Sequence, residues 1–268
     1  VATQVFLVPH SHCDLGWLRS VDQYYEEYVR YSLSNLIPAL LANENRTFNQ
    51  VEVGFFARWW REQDAATKAD VKALVKAGQL EFLNGGWVMA DEAVTTFEGV
   101  VDQLTLGHDF LLNEVGVTPR VAWHIDPFGA SGTTPAMFAD MGYDAFVINR
   151  IDYELKEAWQ QDQGLQFVWR GTPSRGTDAD MFTHVLDSHY SAPWGFDFEY
   201  FTPASPSNLA DMADTSPPVY TTAPSAFSPA NVAARADDLA TQLQGRAAYF
   251  KTPHLLVPYG DDFKYVNP

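Results

Sequence analysis

The stretch Val5-Phe6-Leu7-Val8-Pro9-His10-Ser11-His12-Cys13-Asp14-Leu15-Gly16-Trp17 joins an apolar run directly to a cluster of metal-ligating residue types. It reads as a buried strand that ends in a polar loop. Side chains two apart in extended chain share a face, so His12 and Asp14 point together and Cys13 points away. Imidazole nitrogen and carboxylate oxygen suit zinc or a similar divalent ion, but two ligands fall short of the three or four that a protein site supplies. The competing reading is that these residues merely decorate a strand end and a turn.

Two further segments repeat the pattern. Val121-Ala122-Trp123-His124-Ile125-Asp126-Pro127-Phe128-Gly129 runs from an apolar start into an acid and then a Pro/Gly turn. In Leu255-Leu256-Val257-Pro258-Tyr259-Gly260-Asp261-Asp262-Phe263 an apolar run ends in a glycine and paired carboxylates. Reactive groups at the C-terminal ends of apolar strands are the mark of an α/β fold with parallel strands.

The rest of the chain supports that class. Apolar residues recur at helical spacing over 24–41, 58–77, 97–113, 135–141 and 231–243, with Gly78 as a stop signal. Short apolar runs at 51–55, 80–83, 121–125, 145–148 and 255–257 predict strands, while 172–229, rich in Pro, Ser and Asp, predicts long loops. Strand and helix in alternation imply a parallel sheet with right-handed crossovers. No internal repeat or linker divides the chain, so 1–268 is expected to be one α/β domain.

Composition sets outer limits. A chain of 268 residues that is 46% hydrophobic can bury a large core. Asp and Glu number 34 against 17 Lys and Arg, a net charge of −17 that opposes a nucleic-acid partner, since phosphate binding needs the reverse field. Acidic proteins also suit an acidic lumen, where carboxylates lose part of their charge. No apolar run reaches the roughly 18–20 residues of a membrane span. No charged segment followed by an apolar core opens the sequence, so Val1 reads as a processed terminus. The single cysteine, Cys13, can make no disulfide within the chain. Asn45-Arg46-Thr47 is a glycosylation acceptor pattern in a polar stretch, which places Asn45 on a surface loop.

Four motifs in order carry a specific resemblance: His10-Ser11-His12-x-Asp14-x-Gly16-Trp17, Gly85-Gly86-Trp87-Val88-Met89-x-Asp91-Glu92, Trp123-x-Ile125-Asp126-Pro127-Phe128-Gly129 and Gly260-Asp261-Asp262-Phe263. Together they resemble the N-terminal catalytic part of class II α-mannosidases, glycoside hydrolase family 38. The run Trp17-Leu18-x-x-Val21-Asp22-Gln23-Tyr24-Tyr25 is more similar to the lysosomal members than to the Golgi ones, which usually carry Pro where this chain has Leu15.

The resemblance implies a seven-stranded, barrel-like (β/α) domain at the front of a larger multidomain enzyme, lysosomal or otherwise lumenal or secreted. It implies a retaining hydrolase of terminal α-linked mannose on N-glycan-type oligosaccharides. Such chemistry needs two acids of opposed roles. By the resemblance Asp126 is nucleophile and zinc ligand, and Asp262 is general acid/base. His12 and Asp14 are two further zinc ligands, and one zinc per site takes its fourth protein ligand, a His, from beyond this chain. Zinc there contacts sugar hydroxyls and helps bind and distort the mannose ring. The missing His and downstream regions make companion polypeptides from one processed precursor the expected partners. Trp17 would wall the mannose, Arg150 would hold the nucleophile ionised, and Tyr190 and Asp261 would reach the sugar. Physics alone leaves open which of Asp261 and Asp262 is the acid, because like-charge proximity could keep either one protonated. Asp91 and Glu92 read as supporting contacts, and His10 and His124 as packed or hydrogen-bonded histidines. Two rival functions remain: a metal-dependent carbohydrate deacetylase, in which zinc activates water, and a non-catalytic carbohydrate-binding module.

Overall fold

In the computed structural model, which describes residues 2–197 and 229–266, strand and helix alternate. Strand β1 (Gln4–Pro9) leads to α1 (Val21–Tyr24), which passes through a π-helical turn, Tyr25–Val29, into α2 (Arg30–Leu41). Ser20 and Gln23 form a reciprocal capping box that starts this helical run three residues ahead of the predicted position. Then come β2 (Phe48–Gln50), α3 (Val53–Glu62), α4 (Ala65–Ala77) and β3 (Leu80–Phe82). Helix α5 (Phe97–Phe110) ends in a second π turn, Leu111–Val115, and is followed by β4 (Val121–His124), α6 (Thr133–Asp140), β5 (Ala145–Ile148) and α7 (Tyr153–Gln161). Strand β6 (Gln166–Trp169), a 3-10 segment (Pro173–Ala179), β7 (Met181–Val185), α8 (Val232–Ala247) and β8 (His254–Tyr259) complete the described elements.

The ladder hydrogen bonds divide the strands into three sheets. Parallel pairs β1–β8 and β2–β3 stand beside a four-stranded sheet of order β4-β5-β7-β6, in which only β6 is antiparallel. Single links bridge the gaps: His10 pairs with Asn49 between β1 and β2, while Asn84 after β3 donates its N–H to Val121 O and accepts the Trp123 N–H. Seven strands with parallel neighbours thus follow the order β8, β1, β2, β3, β4, β5, β7. Among the described residues the ladders form three small sheets joined at points rather than one continuous seven-stranded, barrel-like sheet, because β2 and β3 are three residues long and leave little ladder to share.

Packing explains other departures from the sequence reading. Val51-Glu52-Val53-Gly54-Phe55 is not a strand: β2 lies just before it, and Val53 opens α3, whose Val53, Phe55, Phe56, Trp59 and Trp60 are all buried. The run 58–77 is two helices, because the Asp64 side chain accepts the Thr67 N–H and caps a new one, while Gly78 ends it in the left-handed conformation. The loop region 172–229 contains a strand, β7, buried against β5; its part at 198–228 lies outside the described residues. The first half of β1 is exposed rather than buried, with Phe6 and Leu7 about half accessible. Among the described residues its ladder partner is β8 alone. The core instead collects in clusters, one around the aromatic residues Tyr24, Tyr28, Phe56 and Trp60 and another around Phe138, Phe146 and Leu255.

Candidate active site

The C-terminal strand ends converge on one group. His12, Asp14 and Asp126 each offer a ligand atom, and these atoms lie within 4.8 Å of one another. His12 is 3% exposed; its Nε2 stands 3.2 Å from Asp14 Oδ1 and 3.4 Å from Asp126 Oδ2. Beyond the end of β1, His12 is held by backbone bonds, its N–H to Asp261 O and its carbonyl to the Phe263 N–H, so the first and last strand ends are locked in register. Its ring nitrogens have no partner in hydrogen-bond geometry. A buried imidazole nitrogen facing two carboxylates is a donor set that fits zinc, one protein ligand short of a closed tetrahedral site. Burial opposes charge on His12, but Asp126, Asp14 and Glu52 outweigh it and hold the imidazole well above its ordinary pKa. Cys13 points into the aromatic core and is no part of the group.

The second carboxylate pair meets through Tyr190. Its hydroxyl stands 2.9 Å from Asp262 Oδ1 and 3.2 Å from Asp126 Oδ1. Tyr190 is itself fixed by His10 Nε2 on its carbonyl at 2.8 Å. The two acids differ in surroundings. Burial pushes Asp126 up, yet His12 and Arg150, whose Nε donates at 2.7 Å, more than offset it and hold this carboxyl at about 2. Asp262 is pushed up to about 6, first by burial and then by the neighbouring Asp261 charge, against the pull of His12. Asp261 Oδ1 accepts the Asp262 N–H at 2.9 Å and so braces the turn. Like-charge proximity, the cause expected from sequence, is the lesser one.

The other expected residues take varied positions. Trp17 is 59% exposed beyond the metal-type group, free to present an aromatic face. Asn45 is exposed in the turn 43–46. Glu92 clamps His124 Nδ1 at 2.7 Å and the Ser131 and Thr134 donors, fastening the segment that carries Asp126. Two features went unassigned in the sequence. A cleft of about 630 Å³ beside Arg150 is lined by Phe128, Tyr153, Lys156 and His189, with the Arg150 guanidinium 4.6 Å from the Phe128 ring centre. Phe128 sits inside a motif already quoted, so its place was legible; Lys156, on α7, lay in a stretch with no assigned element. The second feature is Glu52, buried 3.7 Å from His12 Nδ1.

A centre of paired acids beside a His–Asp–Asp group at the C-terminal edge of parallel strands is that of a hydrolase-type α/β domain. The sequence profile of the glycosyl hydrolases family 38 N-terminal domain matches residues 2–268. The chain belongs to that family. It is 42% identical to the lysosomal alpha-mannosidase of Bos taurus and 40% identical to that of Dictyostelium discoideum, in each case over 98% of this chain but only 26% and 25% of the relative. The epididymis-specific alpha-mannosidase of Homo sapiens is 40% identical over 98% of this chain and 26% of its own length. The chain therefore spans about a quarter of the curated relatives it matches. Among solved structures, an alpha-mannosidase from Enterococcus faecalis V583 shares the fold with a TM-score of 0.66 at 17% identity, over 97% of this chain and 25% of that one. A 4-alpha-glucanotransferase from Thermococcus litoralis shares it with a TM-score of 0.58 at 13% identity, over 98% and 34%.

Proposed function

We propose that the chain supplies the catalytic core of a retaining, zinc-dependent α-mannosidase that removes terminal α-linked mannose from N-glycan-type oligosaccharides. The observation that carries this reading is the Tyr190 hydroxyl shared by Asp126 and Asp262. One shared hydroxyl keeps the two Oδ1 atoms no more than roughly 6 Å apart, short of the about 6.5–9.5 Å of inverting enzymes, which favours a retaining pair. Asp126, held ionised by Arg150, attacks the anomeric carbon. Asp262, a buried carboxyl that keeps its proton to about pH 6, donates it to the leaving oxygen and then takes a proton from the water that releases the sugar. Tyr190 keeps the pair in register, and exposed Trp17 offers a stacking face for the sugar's C–H surface.

His12, Asp14 and Asp126 would hold zinc, with the fourth protein ligand from outside this chain. When bound, zinc supplies a Lewis acid for the sugar hydroxyls. The order of seven strands with parallel neighbours supports a barrel-like domain over 1–268, completed in the whole protein by companion segments or polypeptides. Lysosomal relatives and an exposed Asn45 support a lysosomal or lumenal, glycosylated protein. Among the described residues no helix is long and apolar enough to cross a membrane.

The test is covalent trapping of the full-length protein with a 2-fluorinated mannosyl reagent followed by peptide mapping. An adduct on Asp126 is expected. A deacetylase or a binding module would form none, and an adduct on Asp261 or Asp262 would reassign the nucleophile.

A further inference from the structure

We propose that Glu52 is the residue that positions His12 for metal binding: its carboxylate accepts the Nδ1–H of the imidazole and so commits Nε2 to the ion. The inference rests on the reading of His12, Asp14 and Asp126 as a zinc group. It begins with the two ends of one ring. Nε2 faces Asp14 and Asp126, while Nδ1 faces Glu52 Oε1 at 3.7 Å. When an ion takes the Nε2 lone pair of a neutral imidazole, the ring proton sits on Nδ1 and needs an acceptor. Glu52 is the carboxylate on that side.

The surroundings of Glu52 argue against a merely structural role. It is 1% exposed, and its carboxylate oxygens have no side-chain donor in hydrogen-bond geometry; only its own backbone N–H and that of Cys13 pull on them. Burying a carboxylate with so few donors costs free energy, so the fold tolerates it where a cation or a stronger donor answers it. An acid just before a helix usually caps the helix N-terminus. Glu52 occupies that position on α3 and its side chain makes no capping bond. Its place is nonetheless fixed, since β2 ends two residues before it, Val51 between them is buried, and the buried face of α3 begins immediately after. Nor is Glu52 itself a ligand: the atoms that cluster within 4.8 Å come from His12, Asp14 and Asp126, and Glu52 lies across the ring from them.

The remaining gap of 3.7 Å is longer than a hydrogen bond, and a small turn of the imidazole would close it. The charge also matters, because an anionic acceptor raises the basicity of the opposite nitrogen. This is a reason for an acid, rather than a neutral amide, at position 52.

The experiment measures zinc affinity of the full-length protein by competition with a chromophoric chelator, for wild type, Glu52→Gln, Glu52→Leu and His12→Ala. Far-UV circular dichroism and thermal unfolding of the metal-free forms report the fold separately. Glu52→Leu, which removes the acceptor but suits a buried site, is expected to weaken zinc about 10–100-fold. Glu52→Gln keeps a neutral acceptor and should fall between it and wild type. Cobalt-substituted protein gives a second readout: the exchangeable Nδ1–H signal of His12 should exchange faster with solvent in the leucine variant. Equal zinc affinity in all three residue-52 forms, with binding lost in His12→Ala, overturns the inference, as does a drop in melting temperature with affinity unchanged. Failure of wild type itself to bind zinc would instead sink the underlying metal reading.

Discussion

At the scale of single residues, the chemistry depends on a difference between two carboxyls that share one tyrosine hydroxyl. Asp262 must be protonated to act as an acid, and its pKa is raised to about 6, so turnover of a natural mannosyl-mannose linkage should fall as pH rises through about 6. Asp126 must be ionised; with its carboxyl at about 2, its own titration should not limit the acid side above about pH 3. Replacement Asp262→Asn should abolish this alkaline limb and nearly abolish cleavage of natural linkages. An activated aryl mannoside, whose leaving group needs no proton, should still form the intermediate, and azide should restore its turnover. Equal damage to both substrates with no azide rescue would make Asp262 structural and pass the acid role to Asp261. These residues were legible in sequence because each closes an apolar run with an unusual polar cluster. Glu52 was not, because within Val51-Glu52-Val53 a lone acid between apolar residues reads as the outward side of an alternating strand.

At the scale of elements, the site depends on how tightly the ends of β1 and β8 approach. Gly260 lies so close to His10 O that a Cβ would overlap the carbonyl. Gly260→Ala should therefore push the turn bearing Asp261 and Asp262 away from His12. We expect at least a tenfold loss in kcat/KM, on the scale set by about 1 Å of misplacement costing up to a hundredfold; an active, normally folded alanine variant would show that the approach has slack. Phe263, next in the chain, stacks on Tyr24 at 4.4 Å and seats the same turn in the aromatic core. Phe263→Ala should cost about 3–5 kcal/mol of stability, measured by denaturant unfolding, since it empties a fully packed position. Element type was readable wherever periodicity was long, as in α5. It failed where a local cap overrode the period, as at Asp64, and where a strand was only three residues long, as at β2.

At the scale of the whole molecule, strand direction was legible and closure was not. Apolar runs announce strands, but the links between β1 and β2 and between β3 and β4 run through one backbone bridge, the Asn49 side chain and the backbone and side chain of Asn84, which no hydrophobic pattern encodes. The metal-type group is likewise one protein ligand short of a closed site, and the chain covers a quarter of its lysosomal relatives. Expressed alone, the 268 residues are expected to bind zinc weakly and to show no mannosidase turnover. Calorimetric zinc titration and an aryl-mannoside assay of the isolated chain check this, and measurable turnover would refute it.

The pairing of Gln4 with His254, first strand to last, also sets a timetable. About 250 residues separate the two partners, so β8 finds β1 only after all of them have left the ribosome, and closing so long a loop carries an entropic cost that short-range contacts do not. His12 emerges early and waits, with its imidazole and the neighbouring thiol of Cys13 accessible to stray soft metals or oxidants until Phe263 arrives to shut the aromatic core. The most vulnerable interval for this site is thus its own synthesis, and refolding from denaturant should regain far-UV signal well before it regains a metal-competent His12.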